Sequence, residues 1–553
     1  MSLHITGLAA RSGAGRGVDA LAALLREGGH AFSAAPPYDA AGLASPQCAQ
    51  VEGLDRTAPA TTLLTEAVTD ALADAGLDPK AARVGLVVGT SSGDISGPWE
   101  RWHAAVHQGD PPAEPERGRD GPTLAVGQAL GLGPVATVSI ACASGTAAFA
   151  LAQAWLLEVR ADAVVVAGVD ALSRYIHAGF NGLGALSAAT PRPFHPDRDG
   201  LTLGEGAAAL VLEPAERAAA RGARARAALL GVGLAADAVH MTAPHREGRG
   251  AAAAIRAALD DAGLQPGDID MVSVHGTGTV FNDNMEAFAL REVFGARPVP
   301  FHGVKQAIGH TLGAAGAIEA AVVVDALERG VQPPPPPVIA DDLPVARPPA
   351  RPPAPRVALS TNAAFGGSNA AVVLARPDVA GPKRAPRDTV TAARAELVVP
   401  AGPVDWRALW PDPPERFRRM HRYVRLGMVA LHRLLEALDA PPAPSWALVL
   451  ASRTNCRSVD LRYHARLLDR GAAAASRVDF VYTIPGAPIA EASIHWGLRG
   501  PSLALVGDPE EAEVEAHRLV RWGHAPAALA LGMELPEGDA AGFARVALVR
   551  ATD

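Results

Sequence analysis

Residues Val138–Ala152 read VSIACASGTAAFALA, and the reading of this stretch decides the fold. The run VATVSI (135–140) has the length and β-branched content of a buried strand. The segment GTAAFALAQAWLLEV (145–159) that follows is long and Ala-rich enough for a helix. Cys142 stands at the junction. A thiol at a helix start faces unpaired backbone N–H groups and the positive end of the helix dipole, which favour thiolate and can hold an oxyanion. A buried, inert cysteine is the alternative reading of the same local sequence.

The pattern recurs outward from this junction. VGLVVGT (84–90), AVVVAGV (163–169), AALVLE (208–213) and MVSVHG (271–276) read as buried strands bounded by Gly, Thr or Pro. ATTLLTEAVTDALADAGL (60–77) reads as a helix between them. Strand and helix alternation predicts an α/β layered fold.

The chain has 553 residues, a formal net charge of -8 and three cysteines, Cys48, Cys142 and Cys456. That length supplies several domain-sized cores. The acidic balance argues against a nucleic-acid binder. Three scattered cysteines make no disulfide framework, so a reducing cytoplasm is the expected setting. The start MSLHITGLAARSGAGRG reads as a strand into a Gly-rich turn rather than a signal peptide. Its GAGRG run lacks the last glycine of a dinucleotide fingerprint. No apolar segment reaches the length of a membrane span.

The Pro-rich run 331–357 resists helix and ladder, and a strand-like segment follows it, so it reads as a rigid surface connection inside a domain. The polar, Pro-punctuated stretch 375–396 is the better boundary. Beyond it the chain repeats itself. RVGLVVGTSSGD resembles SWALVLASRTNC, GLGPVATVSIACASG resembles GLRGPSLALVGDPEE, and LLEVRADAVVVAGVDAL resembles LVRWGHAPAALALGMEL, in the same order. The last third therefore reads as a second copy of the first.

Two histidine contexts bear on Cys142. In MVSVHGTGTVFNDNMEA, His275 ends a strand ahead of a Gly/Thr turn; in GVKQAIGHTLGAAGAIEA, Lys305 and His310 precede a small-residue helix that carries Glu319. Either histidine could be an ordinary loop or helix-start residue. Zinc held by Cys142, His275 and His310 is disfavoured, because no short C-x-x-C or H-x-x-x-H unit is present.

Taken together, ACASG, HGTGT, VKQAIGHTLGAAGAIE, RPFHPDRDGLTLGEGAAALVLE, MTAPH and AAFGGSN resemble, in order, motifs of the β-ketoacyl-acyl-carrier-protein synthases of the elongating Cys-His-His type. The resemblance spans residues 1 to about 378 and implies a thiolase-like five-layer αβαβα fold, with an N-half of about 1–215 and a C-half of about 225–378. It implies that Cys142 takes the acyl chain, and that His275 and His310 donate hydrogen bonds to the malonyl thioester carbonyl as it decarboxylates. Lys305, with Glu319, would orient His310. Thr277 and Thr279 would bind the phosphopantetheine arm. The backbone N–H groups of Cys142 and Phe365 would form the oxyanion hole. No metal or cofactor is implied beyond substrates carried on phosphopantetheine, and the implied partners are an acyl carrier protein and a second ketosynthase-type subunit, as a homodimer or hetero-oligomer that pairs through the strand before the cysteine. Neither a nucleic acid nor a membrane partner is implied.

The family commonly reads N-S-F-G-F-G-G-T-N where this chain reads TNAAFGGSN, with Ala363 and Ala364 in place of the first aromatic and its glycine. The gate loop Ala363, Ala364, Phe365, Gly366 thus lacks the aromatic, and acyl entry is expected to be less gated or gated from another segment. After a linker at 379–396, residues 397–553 resemble the N-terminal half of a ketosynthase. Cys142 lies eight residues after Pro134, and eight residues after Pro501 stands Pro509, so the copy has no nucleophile. Cys456 reads as an ordinary surface or loop thiol. A half-fold is expected to expose an apolar face that needs a partner. The basic start of PERFRRMHRYVRLGMVALHRLLEAL, with Arg418, Arg419 and Arg422, reads as a solvated helix over a core stripe, or else as a carrier docking site. Two other function classes stay open: a Cys-dependent acyltransferase without condensation, and a non-catalytic chain-length factor or scaffold.

Overall fold

The computed structural model describes residues 1–109, 118–349, 352–400, 402–536 and 541–552, so part of the Pro-rich run (350–351) and parts of the C-terminal segment lie outside the described residues. The same five-strand topology occurs three times. In the first unit Leu3–Ser12, Gly206–Pro214 and Ala163–Asp170 pair antiparallel in sequence, and Val84–Gly89 and Val135–Val138 extend the sheet in parallel. In the second, Ala227–Ala236, Ser368–Ala375, Val357–Ala363, Met271–Ser273 and Phe301–His302 follow the same order and senses. In the third, Thr389–Val399, Gly542–Ala551, Ala527–Glu534, Ala447–Ala451 and Ser502–Leu505 do so again.

The first two units make the expected layers. Helix Pro59–Ala75 covers the outer face of the first sheet, and Arg249–Ala262 that of the second. Between the sheets lie two apolar helices, Ser144–Leu157 and Ala315–Arg329, nearly every residue of which is buried. A helix buried on all sides must be apolar all round, which is why neither shows a polar stripe. The two helices meet at glycines. A Cβ on Gly145 would lie 2.7 Å from the Gly313 carbonyl oxygen, and one on Gly316 would lie 2.5 Å from the Thr146 backbone nitrogen.

The third unit packs edge to edge on the first. Leu505 pairs antiparallel with Val138, the Ser139 N–H donates to the Ala504 carbonyl at 2.8 Å, and the Val506 N–H donates to the Thr137 carbonyl at 3.0 Å. Val135 lies opposite Leu86 and Ser502 opposite Leu448, so the paired residues are each other's counterparts in the two repeats. A local two-fold axis therefore relates the first and third units. The strand before Cys142 is paired as the sequence implied, within one chain. In the same register Pro509 occupies the place of Cys142.

A buried ion pair ties the two units together. Arg119 and Asp460, each about 3 % exposed at the side chain, make a bidentate contact of 2.6 and 3.1 Å, and the Tyr175 hydroxyl donates to the same carboxylate at 2.8 Å. Arg119 also donates to the Thr483 carbonyl.

Three expectations change, and one is decided between its two readings. The linker is shorter than 379–396, because Thr389–Val399 is a strand; its side chains alternate between half-buried and exposed, which gave it the composition of a linker. Cys456 is not at the surface: it is fully buried at the start of helix Arg457–Arg470, and burial raises its thiol pKa. Among the described residues the half-fold does not present a broad apolar face, its exposed large apolar side chains being Val390, Val398, Val478 and Val514. Helix Glu511–Arg521, counterpart of the buried helix after Cys142, turns Glu513, Val514 and His517 to a groove and is half-exposed there. Helix Arg422–Glu436 buries Tyr423, Val424, Leu426, Leu431 and Leu434 against the third sheet, so the core-covering reading describes it, with Arg418 and Arg419 exposed just ahead of it.

Asp460→Ala leaves a buried guanidinium without its carboxylate, at an expected cost of about 3–5 kcal/mol. Thermal unfolding and limited proteolysis of the full chain should show residues 389–552 released early; a melting curve matching the unchanged protein would refute the lock. Gly316→Ala drives a methyl group into helix backbone, so the cost should reach about 1–3 kcal/mol or more, read as a lowered melting temperature against Gly303→Ala, where no atom lies within 4 Å.

Candidate active site

Cys142 lies in a single 3-10 turn, Ala141–Ala143, between the strand and helix Ser144–Leu157. Ala141 is forced to φ 53°, and the Ser144 hydroxyl pins the elbow by accepting from the Ile140 N–H and donating to the Ala141 carbonyl. Phe365 opens a similar short turn, Phe365–Gly367, after strand Val357–Ala363. At such turn starts the first backbone N–H groups have no intrahelical acceptor.

A cavity of about 370 Å³ joins these elements. Cys142, His275, His310, Thr277, Thr279, Ala363, Ala364 and Phe365 all line it. The two imidazole rings meet edge to face, with centroids 5.1 Å apart. The Leu312 N–H donates to His310 Nδ1 at 3.2 Å, so the His310 proton sits on Nε2. The Thr277 and Thr279 hydroxyls lie 2.9 Å apart, and Thr279 also caps helix Val280–Phe294.

Lys305 does not hydrogen-bond His310. Its ammonium donates to Glu319 at 2.5 Å, to the His275 carbonyl at 2.6 Å and to His275 Nδ1 at 3.2 Å. The resemblance implied that Lys305 orients His310, whereas the short helix Lys305–Ile308 and the turn at Gly309 direct the ammonium across to the other histidine.

Burial lowers the pKa of His275, with the Lys305 ammonium and His310 acting in the same direction. Burial and then Lys305 do the same to His310. Both rings are therefore neutral near pH 7. The expected thiolate at Cys142 is not what the site favours. Burial pushes its thiol up to about 12, and the opposing pull of Lys305 is smaller.

Several supporting residues escaped sequence reasoning. Glu286 accepts the backbone N–H groups of His275 and Gly276, both at 2.6 Å, and Asp283 accepts from Gly278 and Phe194, which fixes the HGTGT turn. Burial raises Glu286 to about 7 and Asp283 to about 6. The acidic spacing in NDNMEA at a helix start was the available signal. Asp170 accepts from the N–H groups of Ser91, Ser92 and Gly313 and anchors the His310 segment to the first sheet. At the end of the cavity the Phe365 ring stacks on Phe180 at 5.7 Å, and Phe480 of the third unit packs behind Phe180 at 5.6 Å. Aromatic cover at the gate loop thus comes from these rings, while Ala363 and Ala364 leave open space.

The family description "Beta-ketoacyl synthase, N-terminal domain" matches residues 2–218, and "Beta-ketoacyl synthase, C-terminal domain" matches residues 226–338. The chain is 36 % identical to the tetracenomycin polyketide synthase ketoacyl synthase alpha subunit of Streptomyces glaucescens, over 68 % of this chain and 96 % of that protein. It is 34 % identical to 3-oxoacyl-[acyl-carrier-protein] synthase 2 of Rhizobium meliloti (strain 1021), over 55 % of this chain and 78 % of that protein. Among solved structures, the ishigamide ketosynthase/chain length factor matches 68 % of this chain and 99 % of its own at 32 % identity and a TM-score of 0.62. The PfaC keto synthase-chain length factor matches 100 % of this chain and 78 % of its own at a TM-score of 0.81; at 16 % identity this is a likeness of fold, and it takes in the third unit. With both halves of the family matched and one relative covered almost end to end, the chain belongs to the β-ketoacyl synthase family, on a thiolase-like fold.

Proposed function

We propose that the chain catalyses decarboxylative Claisen condensation of an acyl thioester with a malonyl-carrier protein, in type II fatty-acid, polyketide or polyene synthesis. The observation that carries this reading is one cavity holding a thiol and two neutral imidazoles whose Nδ1 atoms both accept from within the protein. That leaves Nε2–H donors for the cavity.

The steps balance without an external reductant or oxidant. Cys142 Sγ bonds to the acyl carbon, the pantetheine C–S bond breaks, and the departing thiolate takes up the proton that Cys142 loses. The N–H groups of Cys142 and Phe365 hold the tetrahedral oxyanion. The malonyl thioester then loses CO2, and the electron pair of the broken C–C bond enters the enolate. Two Nε2–H donors stabilise its oxygen without transferring a proton. The enolate carbon attacks the acyl-Cys142 carbonyl, the bond from that carbon to Sγ breaks, the released Cys142 thiolate takes a proton from water, and a 3-oxoacyl thioester two carbons longer leaves on the carrier. Thr277 and Thr279, which line the cavity, hydrogen-bond the pantetheine arm. The third unit fills the place a second ketosynthase subunit would take, and its Pro509 removes the nucleophile.

Full-length protein given acyl- and malonyl-carrier protein should release CO2 and form a 3-oxoacyl product. His275→Ala and His310→Ala should each lower CO2 release by about 10²–10⁴-fold while Cys142 still takes up the acyl group. Acyl-Cys142 with neither CO2 nor longer product from the unchanged protein would point to acyl transfer alone; no acyl-Cys142 at all would point to a scaffold. Because both histidine pKa values are lowered, the neutral donors persist as pH falls. CO2 release should stay level from pH 8 down to about 6.5, where an ordinary imidazole is half protonated; a rate that halves at about pH 6.5 would contradict this.

A further inference from the structure

We propose that Asn362 is a positioning residue that fixes His275 as the Nε2–H tautomer. The inference rests on the reading of His275 as a donor to the malonyl thioester. Asn362 stands near the end of strand Val357–Ala363 and is 2 % exposed. Aligned on Phe365, it stands where the family pattern has Ser.

Its side chain joins three elements. The amide Nδ2 lies 2.8 Å from Glu319 Oε2 and 3.0 Å from His275 Nδ1, and the amide oxygen meets the Thr146 hydroxyl on the helix after Cys142. Which end of the amide faces which neighbour follows from chemistry. Glu319 is ion-paired with Lys305 at 2.5 Å, and an ionised carboxylate only accepts, so the group facing it is the NH2. Both amide hydrogens then have acceptors: one is Glu319, the other His275 Nδ1. An Nδ1 that accepts carries no proton, so the ring proton lies on Nε2.

Lys305 donates to the same Nδ1 at 3.2 Å, but two of its three hydrogens are taken by Glu319 and the His275 carbonyl at much shorter distances. The shorter contact to Nδ1 belongs to Asn362. The amide also keeps Glu319 from turning toward the ring. A carboxylate there would accept from an Nδ1–H and select the opposite tautomer.

The test is the near-isosteric Asn362→Asp, with Asn362→Ala beside it, in the full chain. The aspartate oxygen that replaces Nδ2 lies against Glu319 as well, so the two carboxyl groups share one proton along that contact and the ring meets only a lone pair, which should move His275 to the Nδ1–H tautomer. The ring 15N shifts of selectively labelled histidine, assigned against His275→Gln, should show Nε2–H in the unchanged protein and Nδ1–H in Asn362→Asp. With malonyl-carrier protein, kcat for CO2 release should fall about 100-fold or more in Asn362→Asp and about tenfold in Asn362→Ala, where Lys305 still donates. KM and acylation of Cys142 should stay within about twofold. Unchanged kcat in both variants, or Nε2–H retained in Asn362→Asp, would overturn the assignment. If the unchanged protein released no CO2, the Proposed function would fall, while the tautomer shift would still decide the role of Asn362.

Discussion

The site depends on the approach of two buried helices at their N-termini. Ser144–Leu157 follows Cys142, and Ala315–Arg329 follows His310 and carries Glu319. Glycines at 145 and 316 let backbone meet backbone where any side chain would collide. Each helix grows from a different sheet, so their crossing superimposes the ends of two sheets more than a hundred residues apart in sequence. The thiol comes from one half and both imidazoles from the other. Neither half contains a site alone.

Within that frame the two histidines are not equivalent. His310 is held by a backbone N–H, an interaction no side-chain change can remove. His275 is held by side chains, with an ammonium beside its ring. A nearby cation both opposes protonation of the ring and makes its remaining N–H a stronger donor. Burial opposes protonation of both. The burial that keeps these rings neutral also keeps Cys142 a thiol.

Much of this was legible in the sequence, and the failures share a cause. Strand and helix order, the repeat, and the positions of Cys142, His275 and His310 follow from short-range patterns. What sequence distance could not give was direction. Lys305 precedes His310 by five residues yet points to His275. Asn362 sits at a strand end with no local cue, and only the convergence of Thr146, Glu319 and His275 marks it. The strand Thr389–Val399 was hidden because an edge strand with half its side chains in water has the composition of a linker. Cys456 reads as a loop thiol until Arg119 and Asp460, from two different units, close over it.

The third unit meets the first through a sheet edge, a buried ion pair and aromatic packing. Its contacts with the first two units include the strand Ser502–Leu505, the Asp460 helix, the segment 480–490, where Phe480 backs Phe180 and Ala490 lies against Gly366, and the Arg518–Glu158 ion pair. All of these belong to the counterpart of an N-half. A C-half would lie on the far face of helix Glu511–Arg521, away from the cavity. Removing it would strand that helix in water if its sequence had stayed like FALAQAWLL. Instead the helix carries Glu513 and His517 on this half-exposed face, and the Thr391 hydroxyl donates to Glu513 at 2.6 Å from the edge strand. Polar side chains on this one face let the helix stand half-exposed without a further layer over it.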